Sequence, residues 1–193
     1  MDITNKKRCN WSKNNSLYIK YHDKEWGVPV YEDAKIFECL LLENFQAGLN
    51  WITILRKREK FRIAFDDFNY LKIANYSDEK LATLKLDAGI IRNTLKIKAA
   101  KTNAIAFMEV QKEFGTFSKY LWNFVDGKPI QNNLSNVSEM PSNTTLSDKI
   151  SKDLKKRQFK FVGSTIVYAY MQAIGMVNDH TIDCFRHKEI YAV

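Results

Sequence analysis

Four residues that can bind a metal ion lie near the two ends of the chain. Cys9 and His22 stand near the start, and His180 and Cys184 stand near the end with a spacing of four, which would place both side chains on one helical face. Two thiolates and two imidazoles form a tetrahedral ligand set suited to Zn²⁺. These spacings match no common zinc finger, so spacing alone favours the alternative that the four residues are unrelated.

The third cysteine and the third histidine are not predicted to be ligands. Cys39 stands among large apolar residues, which predicts the role of a small buried hydrophobic side chain. His187 is predicted to lie in a polar tail.

A carboxylate and a group of aromatic residues form the second candidate site. Glu43 closes an otherwise apolar helical run, where a carboxylate is costly to bury unless it meets a donor or a cation. The alternative is an exposed glutamate at a helix end. Aromatic side chains able to stack a flipped base, or to form an ordinary aromatic core, occur at Trp11, Tyr18, Tyr21, Trp26 and Trp51.

A basic segment over residues 155–163 is the third candidate site. It places Lys160 just before Gly163, where a following helix would present free N–H groups, a combination that suits a DNA phosphate. The alternative is a solvated basic helix end. A second basic group over residues 56–60 is less specific and is consistent with ordinary surface.

Composition is consistent with a DNA-binding protein without proving one. The 193 residues, 45% of them hydrophobic, are enough for one domain or two tightly packed lobes. A formal net charge of +8 suggests a polyanionic partner. No run is apolar enough to span a bilayer or to form a signal peptide, so we expect a cytoplasmic protein without a membrane partner. Three distant cysteines argue against a disulfide framework.

The apolar spacing is mostly helical and predicts an all-α fold. Asp33 is predicted to cap one helix and Ser77 another, and further helices are predicted to begin near Gln46 and Arg92.

The last third of the chain predicts a helical pair. Residues 127–147 are rich in Asn, Ser, Thr and Pro and predict a loop or a connection between lobes. A helix over residues 147–156 follows, and Gly163 is predicted to open an apolar helix that ends near Gly175, which together form a helix, a hairpin and a helix.

Six segments in a common order resemble the type I 3-methyladenine DNA glycosylases. The most specific are Tyr-His-Asp-x-Glu-Trp-Gly at residues 21–27 and Gln-Ala-Gly-Leu-x-Trp at residues 46–51. The segments are residues 8–11, 17–29, 43–51, 87–92, 159–163 and 177–180. The resemblance covers nearly the whole chain.

This resemblance implies an all-α fold of the helix-hairpin-helix DNA glycosylase superfamily. Residues 1–193 would form a single unit of two packed helical lobes, with the helix-hairpin-helix near residues 147–175. A structural zinc would tie the two ends of the chain together. Its implied ligands are Cys9, His22, His180 and Cys184.

The resemblance also implies roles for the other candidate residues. Glu43, Tyr21 and Trp51 would form the base pocket, with Trp11 and Tyr18 as further walls. DNA contacts would come from Gly48 and Leu49, which would plug the gap left by an extruded nucleotide, and from Lys160 and Gly163.

One residue departs from the wider superfamily. Its catalytic carboxylate usually follows the hairpin helix in the pattern Val-Asp-x-His, and here Asn178 stands in that place. The type I family shares this departure. Asp179, one residue further, is not predicted to be catalytic.

The implied reaction is hydrolysis of the N-glycosidic bond of 3-methyladenine in alkylated double-stranded DNA. The damaged base would stack between Tyr21 and Trp51 while Glu43 accepts from its N–H edge, and free 3-methyladenine and an intact abasic strand would be the products. A monomer is expected. The alternatives are a non-catalytic zinc-stabilised DNA-binding protein and a glycosylase that acts on an oxidised or deaminated base.

Overall fold

The computed structural model describes residues 6–12 and 15–191, without the side chain of residue 191. The described chain is mostly helical, as predicted. Its helices are α1 (Ser16–Lys24), α2 (Asp33–Gln46), α3 (Trp51–Ala64), α4 (Tyr70–Ala74), α5 (Asp78–Leu86), α6 (Thr94–Phe114), α7 (Phe117–Trp122), α8 (Thr145–Lys156), α9 (Ser164–Ala173) and α10 (Phe185–Tyr191). Short β1 (Ile130–Gln131) and β2 (Val177–Asn178) form a parallel pair that the all-α prediction did not include.

Helix α2 forms the centre of the molecule. Its apolar residues are buried on several sides because α2 packs against α3, α6, α7 and α9. One continuous hydrophobic cluster extends from Ile36 in α2 to Val177 in β2. The division into two lobes stays a prediction.

Asp33 does not cap its own helix, contrary to the sequence prediction. Glu32 is the N-cap residue of α2 and makes no side-chain cap hydrogen bond. The Asp33 carboxylate instead accepts hydrogen bonds from the backbone N–H groups of Phe117 and Ser118, at 2.9 and 2.8 Å. N–H groups in the first turn of a helix have no partner within that helix, so the aspartate stabilises the start of α7.

One helix start differs from the predictions. Helix α2 continues through Gln46, and α3 begins only at Trp51, because Gly48 has a φ of +81° that interrupts the helix. The helix predicted to begin near Arg92 is α6, which begins at Thr94 because the Asn93 side chain accepts from the N–H groups that follow it.

The predicted cap at Ser77 is confirmed. Its side chain accepts from the N–H of Lys80, and α5 extends to Leu86.

The predicted pair of helices over residues 147–175 is confirmed. A capping box at Thr144 starts α8, and Gly163 is the N-cap residue of α9, which ends at Ala173. Residues 157–163, called the hairpin turn below, change direction through left-handed φ angles of 70° at Gln158 and 56° at Phe161. Within the described residues, no helix is both long and apolar enough to cross a membrane.

Candidate active site and metal cluster

A cavity of about 330 Å³ opens between α1, α2, α3 and α9, which is a size typical of small-molecule sites. Its walls are aromatic with a few polar groups. The lining residues are Trp11, Tyr18, Tyr21, Trp26, Glu43, Gln46, Trp51, Val137, Met140, Ala169 and Gln172. All five predicted pocket residues are therefore brought together.

Glu43 is the chemically distinctive residue of this cavity. Its side chain is buried, with 3% of the residue exposed, and no described residue pairs with its carboxylate by a hydrogen bond or a salt bridge. Burial raises the pKa of Glu43 to about 8. A cationic ligand with an N–H donor would supply both missing partners of this carboxylate.

The rings of Tyr21 and Trp51 are already in contact. Their centroids lie 5.3 Å apart with an interplanar angle of 51°. A base stacked between two parallel rings needs about 7 Å between them, twice the contact distance of about 3.5 Å. The predicted sandwich therefore does not fit this ring placement. Burial raises the pKa of Tyr21 well above its usual value, and the nearby Glu43 adds to this effect.

Trp11 and Tyr18 close one wall of the cavity, as predicted. Their rings meet edge to face at 5.6 Å. The Tyr18 hydroxyl accepts from the backbone N–H of Ile52 at 3.1 Å, which anchors the wall to the first turn of α3. The indole N–H of Trp51, at the start of that helix, is buried without a hydrogen-bond partner among the described residues.

Sequence reasoning missed the wall formed by the C-terminal half of the chain. Val137 and Met140 come from the segment predicted only as a loop, and Ala169 and Gln172 come from α9. Nothing in their residue types marks them as pocket residues. Tertiary packing alone brings them opposite Glu43.

Asp179 has three side-chain hydrogen-bond partners, and the prediction that it is not catalytic stays a prediction. Its buried carboxylate accepts from the Tyr168 hydroxyl, Gln172 Nε2 and Asn132 Nδ2 at 2.6 to 2.7 Å. Asn178 is also fully buried, donates to Gln131 Oε1 at 2.8 Å, and does not line the cavity.

Residues 47–50, called the plug loop below, connect the cavity wall to the surface. Gly48 and Leu49 are exposed, and a Cβ atom at Gly48 would meet nothing within 4 Å. The loop is held at its base by Gln46, whose Nε2 donates to the Leu49 carbonyl at 2.7 Å. A residue of the cavity therefore also fixes the predicted plug.

The hairpin turn presents part of the predicted basic surface. Lys160 is exposed, and no side chain caps the N-terminus of α9 after Gly163. Arg157, however, is bound to Asp153 at 2.8 Å and to Glu113 at 2.6 Å. Its charge is therefore already paired within the protein.

In the second basic group, residues 56–60, two of the four basic side chains make internal contacts, whereas Arg56 and Lys60 are exposed. Arg58 is bound to Glu25 and Glu38, and Lys57 donates to backbone carbonyls at residues 88 and 89.

The four predicted metal ligands lie together in a buried cluster, with all candidate ligand atoms within 4.8 Å of one another. Cys184 Sγ lies 3.4 Å from His22 Nε2 and 3.5 Å from His180 Nδ1, and Cys9 Sγ lies 3.6 Å from His180 Nδ1. Tetrahedral Zn–S and Zn–N bonds of about 2.3 and 2.0 Å place sulfur and nitrogen about 3.5 Å apart. The cluster therefore has the dimensions of a tetrahedral zinc site.

The outer ring nitrogens of both histidines are also occupied. His22 Nδ1 lies 2.8 Å from the Asp23 carboxylate, which Arg8 holds in turn, and His180 Nε2 lies 3.0 Å from the Trp26 carbonyl. These contacts direct the remaining nitrogens toward the centre of the cluster, as in known metal sites. Asp23 and Arg8 were not predicted.

Two details near the C-terminal end of the chain differ from the sequence predictions, and the prediction for Cys39 is confirmed. His180 and Cys184 do not share a helical face, because they lie in the turn between β2 and α10. His187 is buried in α10 and not in a polar tail, since its Nε2 lies 3.0 Å from the Asn132 carbonyl. Cys39 packs against the hydrophobic core and is not part of the cluster, as predicted.

The close approach of the two thiols lowers the pKa of Cys184 and raises that of Cys9. A lowered pKa favours the thiolate, which is the form of cysteine that binds metals.

Comparison with known proteins places these features in a family. The family model for methyladenine glycosylase matches residues 11–187. This chain belongs to the methyladenine glycosylase family. The family relative "DNA-3-methyladenine glycosylase 1" from Escherichia coli K12 is 47% identical over 177 residues, 92% of this chain and 95% of the relative.

Solved structures from the family agree with the fold. A crystal structure of a 3-methyladenine DNA glycosylase I has a TM-score of 0.90 at 45% identity and covers 93% of this chain and 98% of its own. A Staphylococcus aureus structure on 3-methyladenine recognition has a TM-score of 0.89 at 33% identity, covering 92% of this chain and 95% of its own.

Proposed function

We propose that this chain hydrolyses the N-glycosidic bond of 3-methyladenine in alkylated double-stranded DNA, releasing the free base and leaving an abasic site. The observation that carries the proposal is Glu43, whose buried carboxylate in an aromatic cavity has no hydrogen-bond or salt-bridge partner among the described residues. A methylated cationic adenine brings a positive charge and an N–H donor to it, whereas neutral adenine leaves the charge uncompensated. The names of the three related proteins described above support the same substrate.

Glu43 acts mainly in recognition. The glycosidic bond of a cationic base is already weakened, so the leaving group needs little acid catalysis. Water adds to the sugar carbon as the C–N bond breaks, the base leaves with the bonding electron pair as a neutral molecule, and the added water loses a proton to solvent. The attraction to the Glu43 carboxylate is therefore strongest before the bond breaks, which limits its contribution to the chemical step.

The base lies in the cavity against one face of Tyr21 or Trp51, with Trp11 and Tyr18 as edge walls. This placement replaces the sandwich between Tyr21 and Trp51, because those rings touch. The cation gains from the aromatic faces as well as from the Glu43 carboxylate.

The plug loop and the hairpin turn bind the DNA. Exposed Lys160 and the uncapped N–H groups after Gly163 suit a phosphate, since a helix N-terminus favours negative charge. This assigns α8, the turn and α9 as a helix-hairpin-helix. Gly48 and Leu49 fill the gap left by the extruded nucleotide. No lysine occurs among the described residues that line the cavity, so we expect no Schiff base and no strand cleavage.

A structural zinc ion is part of this proposal. Cys9, His22, His180 and Cys184 would hold it, and it would tie the two ends of the chain together without taking part in the reaction. We expect the protein to act as a monomer.

The decisive experiment is chromatography of bases released from methylated duplex DNA. Release of free 3-methyladenine without borohydride-trapped protein supports the proposal. A non-catalytic DNA-binding protein would bind the duplex but release no base. Release of only oxidised or deaminated bases from matched substrates would assign a different lesion.

A further inference from the structure

Helix α6 reaches both of the loops that we assign to DNA. Lys96 and Asn103 lie seven residues apart, on one face of the helix, and both are buried. Neither lines the cavity. Their contacts go to the plug loop and to the hairpin turn.

Lys96 is anchored at the base of the plug loop. Its ammonium donates to the Phe45 carbonyl at 2.9 Å and to the Ala47 carbonyl at 2.6 Å, where α2 ends. The same ammonium lies 5.9 Å from the ring centre of Phe161 in the hairpin turn. A buried cation is costly, and these two carbonyls and the aromatic ring compensate it. One side chain therefore contacts both loops.

Asn103 binds the backbone of the hairpin turn. Its Oδ1 accepts from the Lys160 N–H at 2.7 Å, and its Nδ2 donates to the Lys160 carbonyl at 3.1 Å and to Asn44 Oδ1 at 2.7 Å. Asn44 Nδ2 donates in turn to the Phe161 carbonyl at 3.0 Å. Phe161 has a φ of 56°, which is unfavourable for a phenylalanine, so these bonds hold a strained turn in place.

We propose that Lys96 and Asn103 are positioning residues that fix the plug loop relative to the hairpin turn. With a phosphate held at the hairpin turn, this spacing decides whether Gly48 and Leu49 reach the gap of the extruded nucleotide. The inference rests on the proposed function of the two loops. Because both residues lie outside the cavity, their loss should impair action on DNA while leaving recognition of the free base intact.

The test compares Lys96→Met with Lys101→Met. Lys101 lies on the same helix and donates to the Tyr76 carbonyl at 2.6 Å, a similar contact that reaches neither loop. Three quantities are measured for each variant: kcat/KM for excision from duplex DNA, Kd for a duplex with a stable abasic-site analogue, and Kd for free 3-methyladenine by tryptophan fluorescence.

We expect Lys96→Met to lower kcat/KM and to weaken abasic-duplex binding by at least about tenfold, a loss expected from small misplacement. Its Kd for free 3-methyladenine should stay within about twofold, and Lys101→Met should change all three quantities by less than about threefold. Lys96→Arg, which keeps the charge and the donors, should restore part of the duplex activity.

Asn103→Ala provides an independent test if Lys96→Met does not fold, and it should show the same loss on DNA alone. Equal loss in DNA excision and free-base binding, or equal behaviour of the Lys96→Met and Lys101→Met variants, would overturn the positioning role. An active wild-type protein with those results would leave the proposed function standing. Failure of the wild-type protein to release 3-methyladenine from DNA would overturn both.

Discussion

The Cys/His cluster and the aromatic cavity meet at adjacent residues of α1. Tyr21 lines the cavity and the adjacent His22 belongs to the cluster, while Trp11 lies 5.4 Å from the His22 ring and also walls the cavity. In the cluster, each of the four Cys and His side chains has a polar partner. In the cavity, Glu43 has none among the described residues.

This difference indicates that the cluster stabilises the fold, whereas the cavity is arranged to bind a ligand. Fully partnered polar groups stabilise the fold, whereas a buried carboxylate left unpaired destabilises it and is satisfied only when a ligand binds. A second buried glutamate on α2 shows the contrast within one helix. Glu38 is paired with Arg58 at 2.8 Å and with Lys35 at 3.0 Å.

The largest expected effect is on the cluster. Cys184→Ser should abolish stoichiometric zinc binding and lower the free energy of unfolding by at least about 4 kcal/mol, or roughly 8–16 °C in Tm. Elemental analysis and thermal melts measure the two effects. Cys39→Ser is the matched control and should keep its zinc. Full zinc retention in the Cys184 variant would remove this residue from the ligand set.

The two glutamates of α2 should have opposite effects on the pH dependence of stability. The pKa of Glu43 is about 8 in the folded protein and near 4.5 in the unfolded chain. The contribution of the protonated side chain to stability is therefore fully present below pH 4.5 and is lost as pH rises through 8. Between these two pH values, the stability of Glu43→Gln relative to the wild type should therefore rise by about 1.4 kcal/mol for each pH unit.

Glu38 provides the control for this comparison. Burial alone would raise its pKa, but Arg58 and Lys35 outweigh that effect and lower it. The stabilisation by Glu38 is thus present above its unfolded pKa and is lost as pH falls through the folded value. Glu38→Gln should be less stable than the wild type at pH 7 in urea denaturation. If the free energies of unfolding of Glu43→Gln and Glu38→Gln changed with pH in the same way, the predicted difference between the two glutamates would be wrong.

Glu43→Gln should lower activity even though it raises stability. It preserves the shape of the cavity but removes the charge, so kcat/KM for 3-methyladenine excision and affinity for the free base should fall by about 1–3 kcal/mol. Asn178→Ala should cost less activity, because Asn178 does not line the cavity. Full excision by the Glu43→Gln protein would exclude the charge-selection mechanism.

Wild-type excision should also depend on the ionisation of Glu43. A carboxylate is required for the cationic base, so kcat/KM should rise up to tenfold per pH unit below about 8 and level off above that pH. The Glu43→Gln variant should lack this rise. A pH-independent wild-type rate would show that Glu43 is already ionised in the free enzyme.

The smallest effect is expected at the hairpin turn. Lys160→Gln should weaken binding to all duplexes by a similar factor and reduce the slope of log K against log salt by about 1. Lys112→Gln, near the far end of α6, should leave that slope unchanged. An unchanged slope in the Lys160 variant would place the phosphate elsewhere.

The sequence alone determined the helical character, the family and the types of residue needed at each site. Helical periodicity and caps such as Ser77 depend on residues that are close in sequence. The motifs at residues 21–27 and 46–51 are also short, continuous segments that can be recognised without a structure. Glu43 was recognisable because a carboxylate in an apolar run needs a partner. These features do not require knowledge of distant contacts.

Only the tertiary structure decided which distant groups meet. It placed Gln172 and Met140 in the same cavity as Glu43, tilted the Tyr21 ring against Trp51, and brought Cys9 close to Cys184. These outcomes depend on how helices pack and not on the residues next to each position in sequence. The same is true of Asp33, whose carboxylate caps α7 because that helix end lies beside it in space.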